Sequence, residues 1–326
     1  MINWPRFVEL IRKHQTFLLT SHVRPDCDAL GSELGMAGLL EALGKQVTIC
    51  NAQATPPNLA FIDPTKKIKA LGVDVQADAL KNVDLMMVLD TSAWAQLGAM
   101  GDVLRAVTGA KIVLDHHMSE DDLGTEPFKD VKAEATGRLV YDAAGHLGVK
   151  LTPEIAMPLF AAVATDTGWF RFGSTSPLTL RCAASLVEAG AKPAEIYGAL
   201  YEQSTLARQQ LTGRVLSTAS TELNGRLIVS RILREDFSAT GALPSDTEDL
   251  INLTLQVKGT EAAVIFVEQP AGGFKISFRS RCSLDCSKLA EQFAGGGHKA
   301  AAGATVAGTY DDVRPRVLDA VKAAMP

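Results

Sequence analysis

The chain has 326 residues, 47% of them hydrophobic, enough for two domains that each bury an interior. A net charge of −5 argues against the broad basic face that stable duplex DNA binding requires, while leaving room for a local basic cluster that grips short nucleotides. No apolar run approaches the ~20 residues that span a bilayer, and the opening residues lack the apolar stretch of a secretory signal. A cytoplasmic protein with no membrane partner is therefore expected. The five cysteines, Cys27, Cys50, Cys182, Cys282 and Cys286, are read as free thiols: no second pair completes a zinc site with Cys282 and Cys286.

In chain order, residues 17–21 read as a short apolar strand. Residues 30–43 have helical spacing and stop at Gly44, a C-cap signal. Residues 47–50 form a second strand candidate. Residues 85–89 and 111–114 are continuous apolar runs, the mark of strands buried on both faces. Residues 133–146 and 153–165 read as helices. This alternation predicts an α/β domain over residues 1–192, a mainly parallel sheet flanked by helices. Residues 193–220 look helical and polar and are read as a connector. Strands at 226–233, 262–267 and 274–280 and helices near 286–293 and 310–324 then predict a second, smaller α/β domain over 221–326.

Three of the predicted strands run into titratable residues. The first leads to His22, Asp26 and Asp28, the next to Asp90, and the third to Asp115, His116 and His117. Sites in open α/β sheets form outside the carboxyl ends of strands, so these residues should crowd one rim. Asp166, at the end of the 153–165 helix, can join them. An aspartate after a strand can be a simple helix N-cap, which would explain Asp28 or Asp90 singly. Five aspartates together repel one another. Two divalent cations would neutralise most of that charge. Imidazole and carboxylate suit Mn²⁺, Fe²⁺, Co²⁺ or Zn²⁺. The scarcity of thiolate favours Mn²⁺, with Mg²⁺ and Co²⁺ as alternatives.

The order of these motifs resembles the DHH phosphoesterase superfamily. His22-x-x-Pro25-Asp26-x-Asp28-Ala29-x-Gly31-Ser32, Asp90-Thr91, Asp115-His116-His117 and Thr165-Asp166-Thr167-Gly168 are similar to its four motifs, and Gly295-Gly296-Gly297-His298-Lys299 through Gly303 to the signature of its DHHA1 partner domain. The length is most similar to the bifunctional oligoribonuclease and pAp phosphatase subfamily. The resemblance implies that His22 and Asp26 hold one metal, that Asp28, His116 and Asp166 hold the other, and that Asp90 bridges both. It implies that His117 sits at the substrate phosphate or just behind the metal ligands and that Asp115 orients the histidines. Asp90, Asp115, His116 and His117 are thus the expected catalytic set. Cys27 and Ala294 depart from the family pattern, which has glycine there.

Between Lys275 and Gly303 five cations face only Asp285 and Glu291. Gly295, Gly296 and Gly297 let backbone N–H groups approach an anion. Arg279 can grip a phosphate bidentately, and His298 adds a donor. The resemblance implies that this segment binds the nucleotide end of the substrate. The expectation is two-metal hydrolysis of short oligoribonucleotides to nucleoside 5′-monophosphates and of 3′-phosphoadenosine 5′-phosphate (pAp) to AMP. The alternatives are a cyclic- or linear-dinucleotide phosphodiesterase and a catalytically silent nucleotide-binding regulator. Homodimerisation is common in similar proteins.

Overall fold

The computed structural model describes residues 2–118 and 121–325. It divides into two units, Met1–Gln203 and Ser204–Pro326. The division falls inside the stretch read as a connector. That stretch forms two helices, Pro193–Tyr201 in the first unit and Leu206–Thr218 in the second, the latter capped by the Thr205 side chain.

The first unit is built on six parallel strands: β1 (Thr16–Thr20), β2 (Gln46–Asn51), β3 (Ile68–Ala70), β4 (Leu85–Leu89), β5 (Ala110–Asp115) and β6 (Glu126–Lys129). Their order is β3-β2-β1-β4-β5-β6. The chain reverses its winding between β1 and β4, which opens a crevice at the carboxyl ends of those strands. Successive side chains alternate between faces. Phe17, Leu19, Met87, Leu89, Ile112 and Leu114 enter one core with the flanking helices. Leu18, Met86, Val88 and Val113 enter a second core on the opposite face. Both faces are covered, so these strands read as unbroken apolar runs rather than alternating ones.

One helix pair brings the rim residues close. The helix Cys27–Ala42 carries Gly31, Gly35 and Gly38 towards the helix Pro153–Asp166. A Cβ at Gly31 would lie 2.3 Å from the Pro158 carbonyl oxygen, and one at Gly35 would lie 2.4 Å from the Leu159 side chain. Hydrogen at these positions lets the two helices approach, and with them Asp28 and Asp166, which the two helices carry.

The second unit holds six strands: β7 (Ser220–Glu222), β8 (Leu227–Ile232), β9 (Ala262–Glu268), β10 (Phe274–Ser280), β11 (Gly296–His298) and β12 (Ala301–Val306). Their order is β11-β12-β10-β9-β8-β7, with only β8 and β9 parallel. The helices Cys286–Glu291 and Tyr310–Ala324 close one face over Phe266, Ile276 and Phe278. Helices Leu206–Thr218 and Leu250–Thr254 cover Ile228, Ala263 and Ile265 on the other. Among the described residues no helix is long and apolar enough to cross a membrane.

The helix contact gives a paired prediction. Gly31→Ala pushes a methyl group into a backbone carbonyl and should cost about 1–3 kcal/mol. Gly145→Ala, in the helix Thr136–Leu147 with nothing within 4 Å of the new Cβ, should instead stabilise by about 0.5–1 kcal/mol. Thermal melts of the two variants should move in opposite directions.

Candidate active site

At the crevice the three strand ends deliver their polar residues together. Ligand atoms of three residue groups gather within 4.8 Å of one another: His22, Asp26 and Asp90; Asp28, His116 and Asp166; and Asp90, His116 and His117. Asp90 belongs to two groups and turns a different oxygen to each side. Its Oδ2 lies 3.4 Å from His22 Nε2, and its Oδ1 lies 3.5 Å from His116 Nε2 and 3.6 Å from His117 Nδ1. His116 Nε2 is also 3.6 Å from Asp28 and from Asp166. His22 Nε2 is 3.9 Å from Asp26. Donors held about 2.0–2.2 Å from a common ion are spaced about 3.0–3.6 Å apart, and most of these separations fall in that range.

The two histidines are aimed by their backbones. His22 Nδ1 contacts the Val23 carbonyl at 3.0 Å, and His116 Nδ1 contacts the Ala133 carbonyl at 3.2 Å. A carbonyl accepts, so each Nδ1 carries a proton and each Nε2 faces the carboxylates, the nitrogen whose lone pair an ion can take once its own proton leaves. Asp28 is held by the start of the Thr136–Leu147 helix, where the Thr136 and Gly137 N–H groups donate to its two oxygens at 2.7 and 2.8 Å. Ser32 adds a hydroxyl at 3.3 Å. Thr136 Oγ1 donates to Asp90 at 2.9 Å. Asp90 itself has a φ of +63°, a left-handed conformation that is costly for a residue with a Cβ and that concentrates at functional sites. Asp26, not Asp28 or Asp90, is the helix N-cap: its Oδ1 accepts from the N–H groups of Asp28 and Ala29.

Asp28 and Asp90 are each 2% exposed. Burial, followed by the charges of Asp90 and Asp166, holds the Asp28 carboxyl well above the usual carboxylate range. Burial and the charges of Asp90 and Asp26 also raise Asp166, against the pull of His116. Burial works against a charged His22, yet its hydrogen bonds to Asp90 and Val23 raise it to about 9. The cluster therefore recruits protons where positive charge is wanted. A donor set of carboxylate oxygen and imidazole nitrogen fits divalent ions of the Mn²⁺ to Zn²⁺ series. Cys27, 3% exposed, is outside all three groups.

Asp115 lies behind this cluster. Its Oδ1 accepts from the His117 N–H at 3.0 Å and lies 2.9 Å from His117 Nδ1. Ser92 Oγ donates to its Oδ2, and Lys129 Nζ is 3.4 Å from the same oxygen. These hydrogen bonds outweigh the burial that opposes a charged Asp115 and lower its pKa. The hydrogen bond to Asp115 is the largest cause of the raised pKa of His117. Asp115 thus orients His117, whereas His116 is oriented by the Ala133 carbonyl. Beside Asp26 and Asp166 opens a cavity of about 430 Å³, walled by Pro25, Pro56, Leu59 and Leu200.

Arg279, Gly295, Gly296, Gly297 and His298 lie in the second unit. Gly296–His298 form the edge strand β11, with Gly295 just before it. Gly295 and Gly297 are required by close approach: a Cβ would lie 2.2 Å from the Gly303 carbonyl oxygen or 2.6 Å from that of Ala301. Ala301 pairs with Arg279 on one side and His298 on the other. Directly opposed residues share a face, so Arg279 and His298 flank a floor made of Ala301, Gly303 and Gly296. Thr136, Gly137, Ser92 and the Val23 and Ala133 carbonyls were not visible as site groups in the sequence.

Fold and site together define a metal-dependent phosphoesterase. The chain belongs to the DHH family: residues 16–163 match the DHH family N-terminal domain and residues 224–325 match the DHHA1 domain. It is 34% identical over 305 residues to the bifunctional oligoribonuclease and PAP phosphatase NrnA of Thermus thermophilus, covering 93% of this chain and 88% of that one. Its identity to the protein of the same description in Bacillus subtilis is 29%, over 91% and 92% of the two chains. A crystal structure of an exopolyphosphatase-related protein from Bacteroides fragilis superimposes with a TM-score of 0.78 at 25% identity, over 98% of this chain and 94% of that one.

The charge cluster predicts opposite responses to one substitution. Asp166→Asn removes a carboxylate that takes part in raising its neighbours. In chelator the variant should melt higher than the wild type. Manganese at about 100 times its Kd stabilises the wild type by about 2.7 kcal/mol, or roughly 5–10 °C in a unit of this size. The variant should gain much less. Differential scanning calorimetry with and without Mn²⁺ measures both.

Proposed function

We propose that this enzyme hydrolyses short oligoribonucleotides to nucleoside 5′-monophosphates and pAp to AMP, using two divalent ions, of which manganese is the native pair. The observation that carries the reading is the sharing of Asp90 between two donor groups, one oxygen to each. His22 and Asp26 would hold one ion, Asp28, His116 and Asp166 the other, with Asp90 between them. The substrate class is supported by the likeness to the two NrnA proteins over most of both chains. The acidic net charge supports short strands over duplex DNA.

Bound there, a divalent pair supplies Lewis-acid polarisation of the phosphoryl oxygens and an acidified water as nucleophile. The protein's own residues do the rest. Backbone N–H groups hold Asp28, and the Val23 and Ala133 carbonyls hold the imidazoles, so that no ligand has to reorganise during the reaction. His117, whose pKa the hydrogen bond to Asp115 raises, can donate a hydrogen bond to a phosphoryl oxygen as charge builds there. The half-exposed ring can reach a substrate while its partner Asp115 stays buried. In the second unit, Arg279 and His298, on either side of Ala301, offer a guanidinium and an imidazole to a phosphate group.

The test is a product assay with end-labelled two- to five-mer RNA, pAp and linear dinucleotides, scanned over Mn²⁺, Mg²⁺ and Co²⁺. Nucleoside monophosphates from RNA and AMP from pAp, fastest with Mn²⁺, are expected. Asp90→Ala should abolish both activities and keep the circular dichroism spectrum. Arg279→Ala should raise KM about 10–100-fold, the worth of one charge-assisted hydrogen bond. Exclusive cleavage of dinucleotides, or binding without any product, would overturn the assignment.

A further inference from the structure

Behind His22 lies a buried polar chain that the mechanism above does not use. Glu33, on the helix Cys27–Ala42, is fully buried. Its Oε2 accepts from Asn51 Nδ2 at 2.9 Å. Asn51, the last residue of β2 and 1% exposed, accepts at its Oδ1 from the Ser21 N–H at 3.0 Å and from Thr20 Oγ1 at 3.3 Å. Ser21 is the residue before His22. The Asn51 orientation is determined, because the Ser21 N–H needs an acceptor, which turns the amide NH₂ towards Glu33. Two hydrogen bonds and one peptide link thus join Glu33 to His22.

An amide acceptor would satisfy Asn51 equally well. A carboxylate there carries a cost, since the second oxygen, Oε1, is buried with no hydrogen-bond partner among the described residues. A buried acceptor left unmatched costs about 1–3 kcal/mol. Burial pushes the Glu33 carboxyl up to about 7; the Asn51 hydrogen bond and positive charge at His22 pull it back, and the charge of Asp90 adds to the rise. A local cation at the His22 side would turn this unfavourable placement into an attractive one.

We propose that Glu33 supports the metal half-site of His22, Asp26 and Asp90 with the charge of its buried carboxylate, which Asn51 holds in place behind His22. This rests on the metal reading above. Groups behind metal-ligating histidines are commonly worth about 10–100-fold in metal affinity.

The experiment titrates chelator-stripped full-length protein with MnCl₂ alone by calorimetry. Glu33→Gln, which keeps the volume and the acceptor for Asn51, should weaken one of the two Mn²⁺ sites about 10–100-fold and leave the other unchanged. In chelator it should melt no lower than the wild type. Glu33→Asp, which keeps the charge, should hold affinity within about threefold of the wild type. A Gln variant with wild-type Mn²⁺ affinity overturns the proposal. So does one that binds weakly but also melts lower in chelator, which assigns Glu33 to the fold alone. If the Gln variant does not fold, a tenfold loss in the Asp variant overturns the proposal, and retained affinity supports it. Wild-type protein that takes up no Mn²⁺ overturns the metal reading itself, an outcome distinct from the others.

Discussion

Asp26, Asp28, Asp90 and Asp166 converge on the place where the parallel sheet reverses its winding, and two of them are almost entirely out of water. Negative charges this close raise one another's energy, and the low local dielectric amplifies the effect. The fold answers with fixed partial charges: helix N–H groups on Asp28, a hydroxyl on Asp90 and imidazoles between the carboxylates. Burial first, and then the neighbouring charges, still hold Asp28 and Asp166 above the usual carboxylate range. The remaining imbalance is what gives the site its appetite for cations. At Asp90 a left-handed backbone accompanies a carboxylate that faces two sides of the cluster.

Packing and charge are coupled through small residues. Gly31 and Gly35 let the helix bearing Asp28 lie against the helix that ends in Asp166. Gly137 does the same for a third helix: a Cβ there would lie 2.5 Å from that of Ala162 and 3.3 Å from the Asp28 carboxylate. Spacing between the charged groups is thus set by glycines several residues away. A substitution that leaves every ligand in place can still spread the cluster.

Much of this architecture was legible beforehand. Strands β1, β4 and β5 are apolar runs ending in polar residues, and both the runs and the endings are visible as residue types. The strand at 274–280 and the helix at 310–324 match Phe274–Ser280 and Tyr310–Ala324. The misses have physical reasons. Strand β6 contains Pro127 and is short and polar, while β11 and β12 are largely glycine and alanine, so none carries a hydrophobic period. The helix start at Thr136 rather than Ala133 follows from Asp28 accepting from the Thr136 and Gly137 N–H groups, a contact over one hundred residues apart in sequence. The Val23 and Ala133 carbonyls that aim the histidines have no residue signature at all.

Both sheets are bounded by very short strands. Strands β3 and β6 close the first with three and four residues, and β7 and β11 close the second with three each. An exposed sheet edge offers unpaired backbone groups to any passing extended chain, and long flat edges seed fibres and strand exchange. Edges this brief hold too few groups to recruit one. The molecule can therefore leave glycine backbone open at β11 without inviting another chain to continue the sheet, and any lengthening of that strand would create a sticky seam.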